Sequence, residues 1–238
     1  VMPSPGTERD GKIFRHRLST RLWHWINAVA VIVLLMSGLT ISNAHPRLYW
    51  GHYGANFDAA WLTLPRFPGW ATIPTGYNLA LARDWHFAFA WVFAFGLLFF
   101  MLRAVMNGHF KRDIALGAKE VAPAHLWEDV KRHLRFNFET PGGGYNPLQK
   151  ITYSFVLFVL LPGIILTGLT MSPGMNAVLP WLIDLFGGRQ SARSIHFICA
   201  SGMALFIVVH LLLVVLAGPI NEMRSMITGW FRVKGEQS

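Results

Sequence analysis

The chain contains four long apolar runs without charged residues. They are Leu22 to Ser42, Trp85 to Leu102, Ile151 to Met171 and Ile195 to Ala217. Each has about the length that an α-helix needs to cross a bilayer, roughly 20 residues. We therefore predict four spanning helices, at about residues 18–42, 84–107, 147–171 and 193–217. A fifth apolar stretch, Ala177 to Phe186, is too short to cross and is predicted to lie at the membrane interface.

Composition agrees with a membrane protein. Of the 238 residues 53% are apolar and only 14% are charged, and the mean hydropathy is +0.38, which is too apolar for a soluble domain of this size. The predicted fold class is all-α, an integral membrane bundle of four transmembrane helices. The single cysteine, Cys199, lies inside a predicted span, so a disulfide framework and a cysteine-based cofactor attachment are both excluded.

The distribution of basic residues predicts how the bundle is oriented. Sixteen of the 21 Lys and Arg residues lie in the N-terminal segment, in the loop between the second and third spans, or in the C-terminal segment. Basic loops remain cytoplasmic, so both termini are predicted to be cytoplasmic. The net charge of +9 is therefore mainly a signal of topology. Without a soluble domain that carries a basic face, we expect no nucleic-acid partner.

The same pattern sets the organisation of the chain. Residues 1–11 and 233–238 are predicted to be cytoplasmic tails, and residues 12–232 form one membrane domain with an outer loop at 43–83 and an inner loop at 108–146. The first apolar run also imitates a secretory signal that ends at Ser42-Asn43-Ala44. A span is the better interpretation, because the run is longer than a signal core and contains His24 and Asn27.

The outer loop is rich in aromatic residues. Amphipathic rings at headgroup depth explain such residues as membrane anchors, and a docking surface for an outer partner is the functional alternative. The rings in question are Trp50, Tyr53, Trp61, Trp70 and Tyr77.

Four histidines lie within the predicted spans, where a polar side chain is costly and usually functional. They are His24, His86, His196 and His210. His196 and His210 are 14 residues apart on one helix, just under four turns, so they share a face at depths roughly 21 Å apart. Two imidazoles placed in this way are what two haems, one near each membrane surface, require of a shared helix.

Topology predicts the second ligand of each haem. His24 lies near the start of the first span and His210 near the end of the fourth, both on the inner side. His86 and His196 each lie three residues after an arginine at the outer start of a span. We therefore expect an inner pair of His24 with His210, and an outer pair of His86 with His196. Gly38, 14 residues after His24, lies on the same face at the depth of the outer haem and would leave room for it.

Simpler explanations exist for each feature. A single histidine in a helix can be a hydrogen-bonded core residue, and Gly38 can serve close helix packing in lipid. Zinc is the alternative metal, but its tetrahedral sites gather their ligands within a few ångströms, which the two depths prevent. Two haems b with bis-histidine ligation explain all four histidines together.

The motifs as a set resemble the bacterial cytochrome b561 family, specifically the di-haem cytochrome b subunits of nickel-iron hydrogenases, formate dehydrogenases and thiosulfate reductases. The resemblance covers about residues 12–232. It rests on RLWHW around His24, the position of His86, YNPLQK before the third span, and the spacing of His196 and His210. It implies that the four histidines are axial ligands. The outer loop is long and aromatic for the hydrogenase type, and its HPRLYWG segment is similar to members that accompany periplasmic molybdopterin oxidoreductases.

A quinone site is expected at the inner mouth of the third span. In the formate dehydrogenase members a quinone lies against the asparagine of the motif that YNPLQK resembles, which nominates Asn146 first, then Gln149 and Tyr145. The alternative role for Asn146 is to cap the third helix, with Pro147 in its first turn. Both roles are compatible.

The resulting hypothesis is a membrane cytochrome b subunit that carries electrons between a periplasmic redox partner and the quinone pool, with catalysis on the primary substrate left to the partner. A stand-alone quinone-reducing superoxide oxidase is the enzyme alternative, with Arg83 and Arg193 as a positive approach to the outer haem. A transporter or structural bundle would leave the histidine spacing unexplained. The expected partners are membrane lipid, ubiquinone or menaquinone, a periplasmic oxidoreductase subunit or soluble cytochrome and, as an open alternative, a second copy of the chain.

Overall fold

A computed structural model describes residues 3, 6–9, 11–106, 127, 131 and 147–233. Apart from Trp127 and Lys131, the predicted inner loop lies outside these residues. Tyr145 and Asn146 of the predicted quinone site lie outside them as well.

Four long helices dominate the fold. Helix α1 spans Leu18–Ala44 and α2 spans Leu79–Met106. Helix α3 comprises Pro147–Phe155, a π-helical turn at Val156–Leu160, and Leu161–Met171. Two short helices, α4 (Pro173–Val178) and α5 (Trp181–Leu185), precede the long α6 (Arg189–Ala217), and α7 (Pro219–Thr228) follows it. The four long helices are long and apolar enough to cross a membrane.

Two of these helices begin earlier than hydropathy predicts. Helix α2 starts at Leu79 rather than near residue 84, because the side chain of Asn78 accepts a hydrogen bond from the backbone N–H of Leu81 at 3.0 Å and caps the helix there. Helix α6 starts at Arg189 rather than near residue 193. The start of a helix is set by hydrogen bonding and not by hydropathy. The length of an apolar run therefore does not reveal a polar first turn.

The π-helical turn in α3 directly precedes Leu161-Pro162. A proline cannot donate a backbone hydrogen bond, and its ring crowds the carbonyl four residues earlier. Widening the preceding turn to a π-helix relieves that crowding. The span therefore continues through Pro162 to Met171 without a break.

The long helices pack as two pairs, α1 against α2 and α3 against α6. Within the first pair, the indole N–H of Trp23 donates to the carbonyl of Gly96 at 3.3 Å, and the Trp23 ring stacks on Phe100 with centroids 4.8 Å apart. Buried Ala30 and Ser37 have no exposed surface, and small residues of this kind let membrane helices approach closely. The four histidines lie between the two pairs.

Both terminal segments lie at the same end of the bundle, which we call the inner end. Strands β1 (Glu8–Arg9), β2 (Lys12–Phe14) and β5 (Trp230–Arg232) form an antiparallel sheet in the order β1-β2-β5. Glu8–Arg9, which fall within the predicted tail, thus form an edge strand. The sheet places the first and last described segments side by side.

At the opposite, outer end the predicted loop is an ordered cap over the start of α6. Strands β3 (Arg47–Leu48) and β4 (Leu62–Thr63) pair with each other. The carbonyl of Gly51 accepts hydrogen bonds from the backbone N–H groups of Gln190 and Ser191, at 3.1 and 3.2 Å. These contacts satisfy donors that the first turn of a helix otherwise leaves unpaired.

Candidate functional site

The histidines of the spans meet in two pairs at opposite ends of α6. At the inner end, His24 of α1 and His210 of α6 have ring centroids 6.4 Å apart with an interplanar angle of 55°. At the outer end, His86 of α2 and His196 of α6 have centroids 6.2 Å apart at 59°. The structure therefore brings together the same pairs that the topology argument predicted.

Ser37 of α1 holds the ring of His86. Its hydroxyl donates to the carbonyl of Val33 at 2.6 Å and lies 3.0 Å from Nδ1 of His86. A hydroxyl carries a single hydrogen, so with that hydrogen on the carbonyl the Ser37 oxygen can only accept from the imidazole. This arrangement favours the tautomer of His86 with its proton on Nδ1, in which Nε2 has a free lone pair.

Thr167 of α3 does the same for His196. Its hydroxyl donates to the carbonyl of Gly163 at 2.6 Å and lies 3.1 Å from Nδ1 of His196. Thr167 has no exposed surface, so no water competes for this contact. Each outer histidine therefore receives an acceptor from the helix packed beside its own.

A glycine follows each of these hydroxyl residues. A Cβ atom at Gly38 would lie 3.6 Å from Cε1 of His86, and one at Gly168 would lie 3.4 Å from Cε1 of His196. The missing side chains let α1 and α3 approach the two imidazoles. Gly38 was a predicted site residue, whereas Ser37, Thr167 and Gly168 were not. The repeated tetrapeptides SGLT at 37–40 and TGLT at 167–170 were the signal that could have found them.

The inner pair has different surroundings. Nδ1 of His24 is buried and has no hydrogen-bond partner among the described residues. Trp25 meets the His24 ring edge-on at 5.2 Å, and Phe206 stacks on His210 with centroids 6.2 Å apart at 15°. Within the described residues, the ring contacts of the inner imidazoles are therefore with aromatic side chains.

The geometry of both pairs fits one metal ion held from two sides. Two imidazoles that bind one ion from opposite sides, each with its nitrogen about 2 Å from the metal and its ring centre roughly 1 Å further out, have centroids about 6 Å apart. In the described part of the chain, no group of three or more His, Cys, Asp or Glu side chains could hold a metal. Two ligands alone suit a metal whose other ligands come from a macrocycle, as in haem.

The two arginines nominated at the outer end lie near the outer pair. Arg193 donates to the carbonyl of His45 and, at 3.5 Å, to Oε1 of Gln190. The guanidinium of Arg83 lies 5.7 Å from the ring centroid of Phe87. Burial and then the charges of Arg193 and Arg83 lower the pKa of His45. Both cations thus act on the same outer surface.

Of the three predicted quinone residues, Gln149 alone belongs to the described part of the chain. Tyr145 and Asn146 lie outside it, and Gln149 lies in the first stretch of α3, which begins at Pro147.

A family model described as prokaryotic cytochrome b561 matches residues 15–229. The chain belongs to this family. As a prokaryotic cytochrome b561 it is a membrane b-type cytochrome, and the family implies haem b as its cofactor. The four apolar helices are those of a multi-pass membrane protein.

Relatives of this cytochrome b561 carry names of redox-complex subunits. A candidate protein-methionine-sulfoxide reductase subunit, YedZ1 of Azospira oryzae, is 30% identical over 82% of this chain and 87% of its own. A candidate Ni/Fe-hydrogenase B-type cytochrome subunit of Cupriavidus necator is 27% identical over 88% of this chain and 83% of its own. The corresponding protein of Azotobacter vinelandii is also 27% identical, over 94% and 90%. No solved structure matches the chain.

Proposed function

We propose that this cytochrome b561 is the membrane subunit of a respiratory oxidoreductase in the bacterial inner membrane, and that it carries electrons between a periplasmic redox partner and the quinone pool. The observation that carries the proposal is the pair of facing histidines at each end of α6. His86 and His196 would hold an outer haem b, and His24 and His210 an inner one. Each haem supplies reversible one-electron chemistry at its iron.

In this function the chain sets the positions of the two haem sites. Because His196 and His210 are 14 residues apart on α6, the two sites lie roughly 21 Å apart along one helix. One site then serves each membrane surface. The same rigid helix supplies a ligand to both, which sets their separation.

The names of the relatives support an oxidoreductase as the partner. YedZ1 of Azospira oryzae is named as a reductase subunit, and the protein of Cupriavidus necator as a hydrogenase subunit. By the resemblance of the HPRLYWG segment, we favour a molybdopterin oxidoreductase at the outer end. The ordered cap of residues 45–78 offers it a surface beside the outer pair, and Tyr53 and Phe57 on that cap are almost entirely exposed.

A quinone site at the inner mouth of α3 completes the proposal. Asn146, Gln149 and Tyr145 supply amide and phenol groups that can bond quinone oxygens. The concentration of Lys and Arg at the inner end supports a cytoplasmic position for both termini. A quinone reduced there would take its protons from the cytoplasm.

Haem content of histidine variants tests the proposal. The purified chain should contain two haems b with low-spin spectra, extractable by acid-acetone. His86→Ala and His196→Ala should each remove one haem, and His24→Ala and His210→Ala the other, while His45→Ala, outside both pairs, should keep two. One haem per chain, or loss of the same haem in His24→Ala and His196→Ala, would contradict the proposal.

A second candidate is a quinone-reducing superoxide oxidase that acts without a partner. Arg83 and Arg193, whose charges meet at the outer end, favour it because they would attract an anion. Superoxide would lose one electron to become oxygen, and two such electrons with two protons would reduce a quinone. Reduction of a quinone analogue by superoxide with the purified chain alone, abolished in Arg193→Gln, would support this candidate over the first.

A further inference from the structure

The two outer histidines have equivalent hydroxyl contacts, made by two similar tetrapeptides. Ser37-Gly38-Leu39-Thr40 on α1 and Thr167-Gly168-Leu169-Thr170 on α3 place a hydroxyl, a glycine and a second buried hydroxyl in the same order. In each copy the first hydroxyl bonds Nδ1 of an outer histidine, at 3.0 and 3.1 Å. Each outer imidazole therefore has at Nδ1 a hydroxyl from a side chain with no exposed surface, which favours the tautomer protonated on Nδ1.

An acceptor at Nδ1 changes what the imidazole does at its other nitrogen. When the Nδ1–H is hydrogen-bonded, the ring is oriented and becomes a more basic ligand. A more basic ligand favours the more positively charged, oxidised state of the iron that it binds, and second-shell hydrogen bonds are among the means by which a protein tunes a haem potential. Both ligands of the outer site carry such an acceptor.

At the inner site, His24 lacks this feature in the part of the chain that the structure describes. Nδ1 of His24 is buried there without a hydrogen-bond partner, and His210 is stacked on Phe206. The same basicity argument therefore leaves His24 as a weaker donor than either outer imidazole.

We propose that Ser37 and Thr167 are positioning residues that lower the midpoint potential of the outer haem below that of the inner haem. Transfer of an electron from the outer haem to the inner haem is then the downhill step between the two. This inference rests on the proposed function, since it takes the two histidine pairs as haem ligands.

The test is a potentiometric titration of the purified chain, followed by its visible haem spectrum. In His196→Ala, which should retain only the inner haem, the remaining wave should be the higher of the two wild-type waves. Thr167→Val keeps the shape of the side chain and removes the hydroxyl acceptor, while the backbone carbonyl of Ile164 stays beside His196. The substitution should raise the midpoint potential of the lower wave by ~59 mV, which corresponds to about a tenfold change in the equilibrium constant of a one-electron reduction. The midpoint potential of the higher wave should not change.

The chain offers a matched control one turn along α3. Thr170 is equally buried, and its hydroxyl donates only to the carbonyl of Leu166, at 2.8 Å. Thr170→Val should leave both waves unchanged. Thr167→Ser, which restores the hydroxyl, should return the lower wave to its wild-type potential.

Three results would overturn the inference while leaving the proposed function intact. These are an unshifted lower wave in Thr167→Val, an equal shift in Thr170→Val, or a remaining wave in His196→Ala that is the lower one. If Thr167→Val loses the outer haem, Ser37→Ala is compared with Ser37→Thr, and an unshifted wave in Ser37→Ala overturns the inference equally. A chain with one haem, or with haem content indifferent to His196→Ala, would instead contradict the proposed function.

Discussion

Trp61 in the outer cap donates its indole N–H to the hydroxyl oxygen of Ser194, 2.9 Å away, and Ser194 lies two residues before His196 on α6. The same hydroxyl donates to the carbonyl of Tyr49 at 2.6 Å. Trp50 stacks on Trp61 with centroids 5.4 Å apart. The aromatic loop is thus fixed to the helical turn that carries an outer histidine, so that its surface and the outer pair form one unit.

Removing this hydroxyl should loosen the cap. In Ser194→Ala the carbonyl of Tyr49 and the indole N–H of Trp61 lose the fully buried hydroxyl that they share, and a buried polar group left without a partner costs about 1–3 kcal/mol. We expect a lower thermal midpoint and faster proteolysis within residues 45–78, with the outer haem released before the inner one. Ser201→Ala is the control, because that exposed hydroxyl bonds only the carbonyl of Phe197 in its own helix. Equal stability of the two variants would contradict the role of Ser194.

The sheet at the inner end depends on a glycine. Gly229 has φ +89°, and a Cβ there would lie 2.6 Å from Cε2 of Phe14 and 2.8 Å from the carbonyl oxygen of His16. Gly229→Ala should therefore cost at least the roughly 1–3 kcal/mol of a strained backbone and separate the terminal strands. Limited proteolysis at residues 6–17, with haem content unchanged, would detect this separation.

Gly218→Ala is the control that separates the effect of backbone strain from the effect of a steric clash at Cβ. Gly218 also has positive φ, +108°, but a Cβ there would meet nothing within 4 Å. It should be the milder of the two substitutions, and the terminal strands should stay protected. Greater cleavage in Gly218→Ala than in Gly229→Ala would show that packing against Phe14 does not hold the sheet together.

Asn146→Leu tests the quinone site. The substitution removes a hydrogen-bonding amide at similar volume, and the loss of one such bond costs roughly 1 kcal/mol, or several-fold in the affinity of a quinone-site inhibitor. We expect slower oxidation of the inner haem by a quinone analogue in stopped-flow measurements, with both haems bound and exchange of the outer haem with soluble donors intact. Unchanged rates in Asn146→Leu, together with impaired Arg83 or Arg193 variants, would move the site to the outer end.

The sequence by itself determined those features that depend on local spacing. Apolar length is a property of consecutive residues, so the four spans could be recognised without any knowledge of contacts. The relation of His196 to His210 follows from the period of a single helix. Their pairing with His86 and His24 needed only the order in which the spans cross the membrane, and the structure places the same rings 6.2 and 6.4 Å apart.

Only the tertiary structure decided which neighbouring groups surround those histidines. A hydroxyl in an apolar helix can always bond a carbonyl one turn back, so the repeated SGLT and TGLT segments mark Ser37 and Thr167 without showing that these residues, and not Thr170, meet an imidazole. Their contact with imidazoles depends on how α1 packs on α2 and α3 on α6. The cap over Ser194 and the pairing of Phe14 with Trp230 join residues more than a hundred positions apart. Such contacts form because buried polar groups must find partners, and only the folded chain brings those partners within reach.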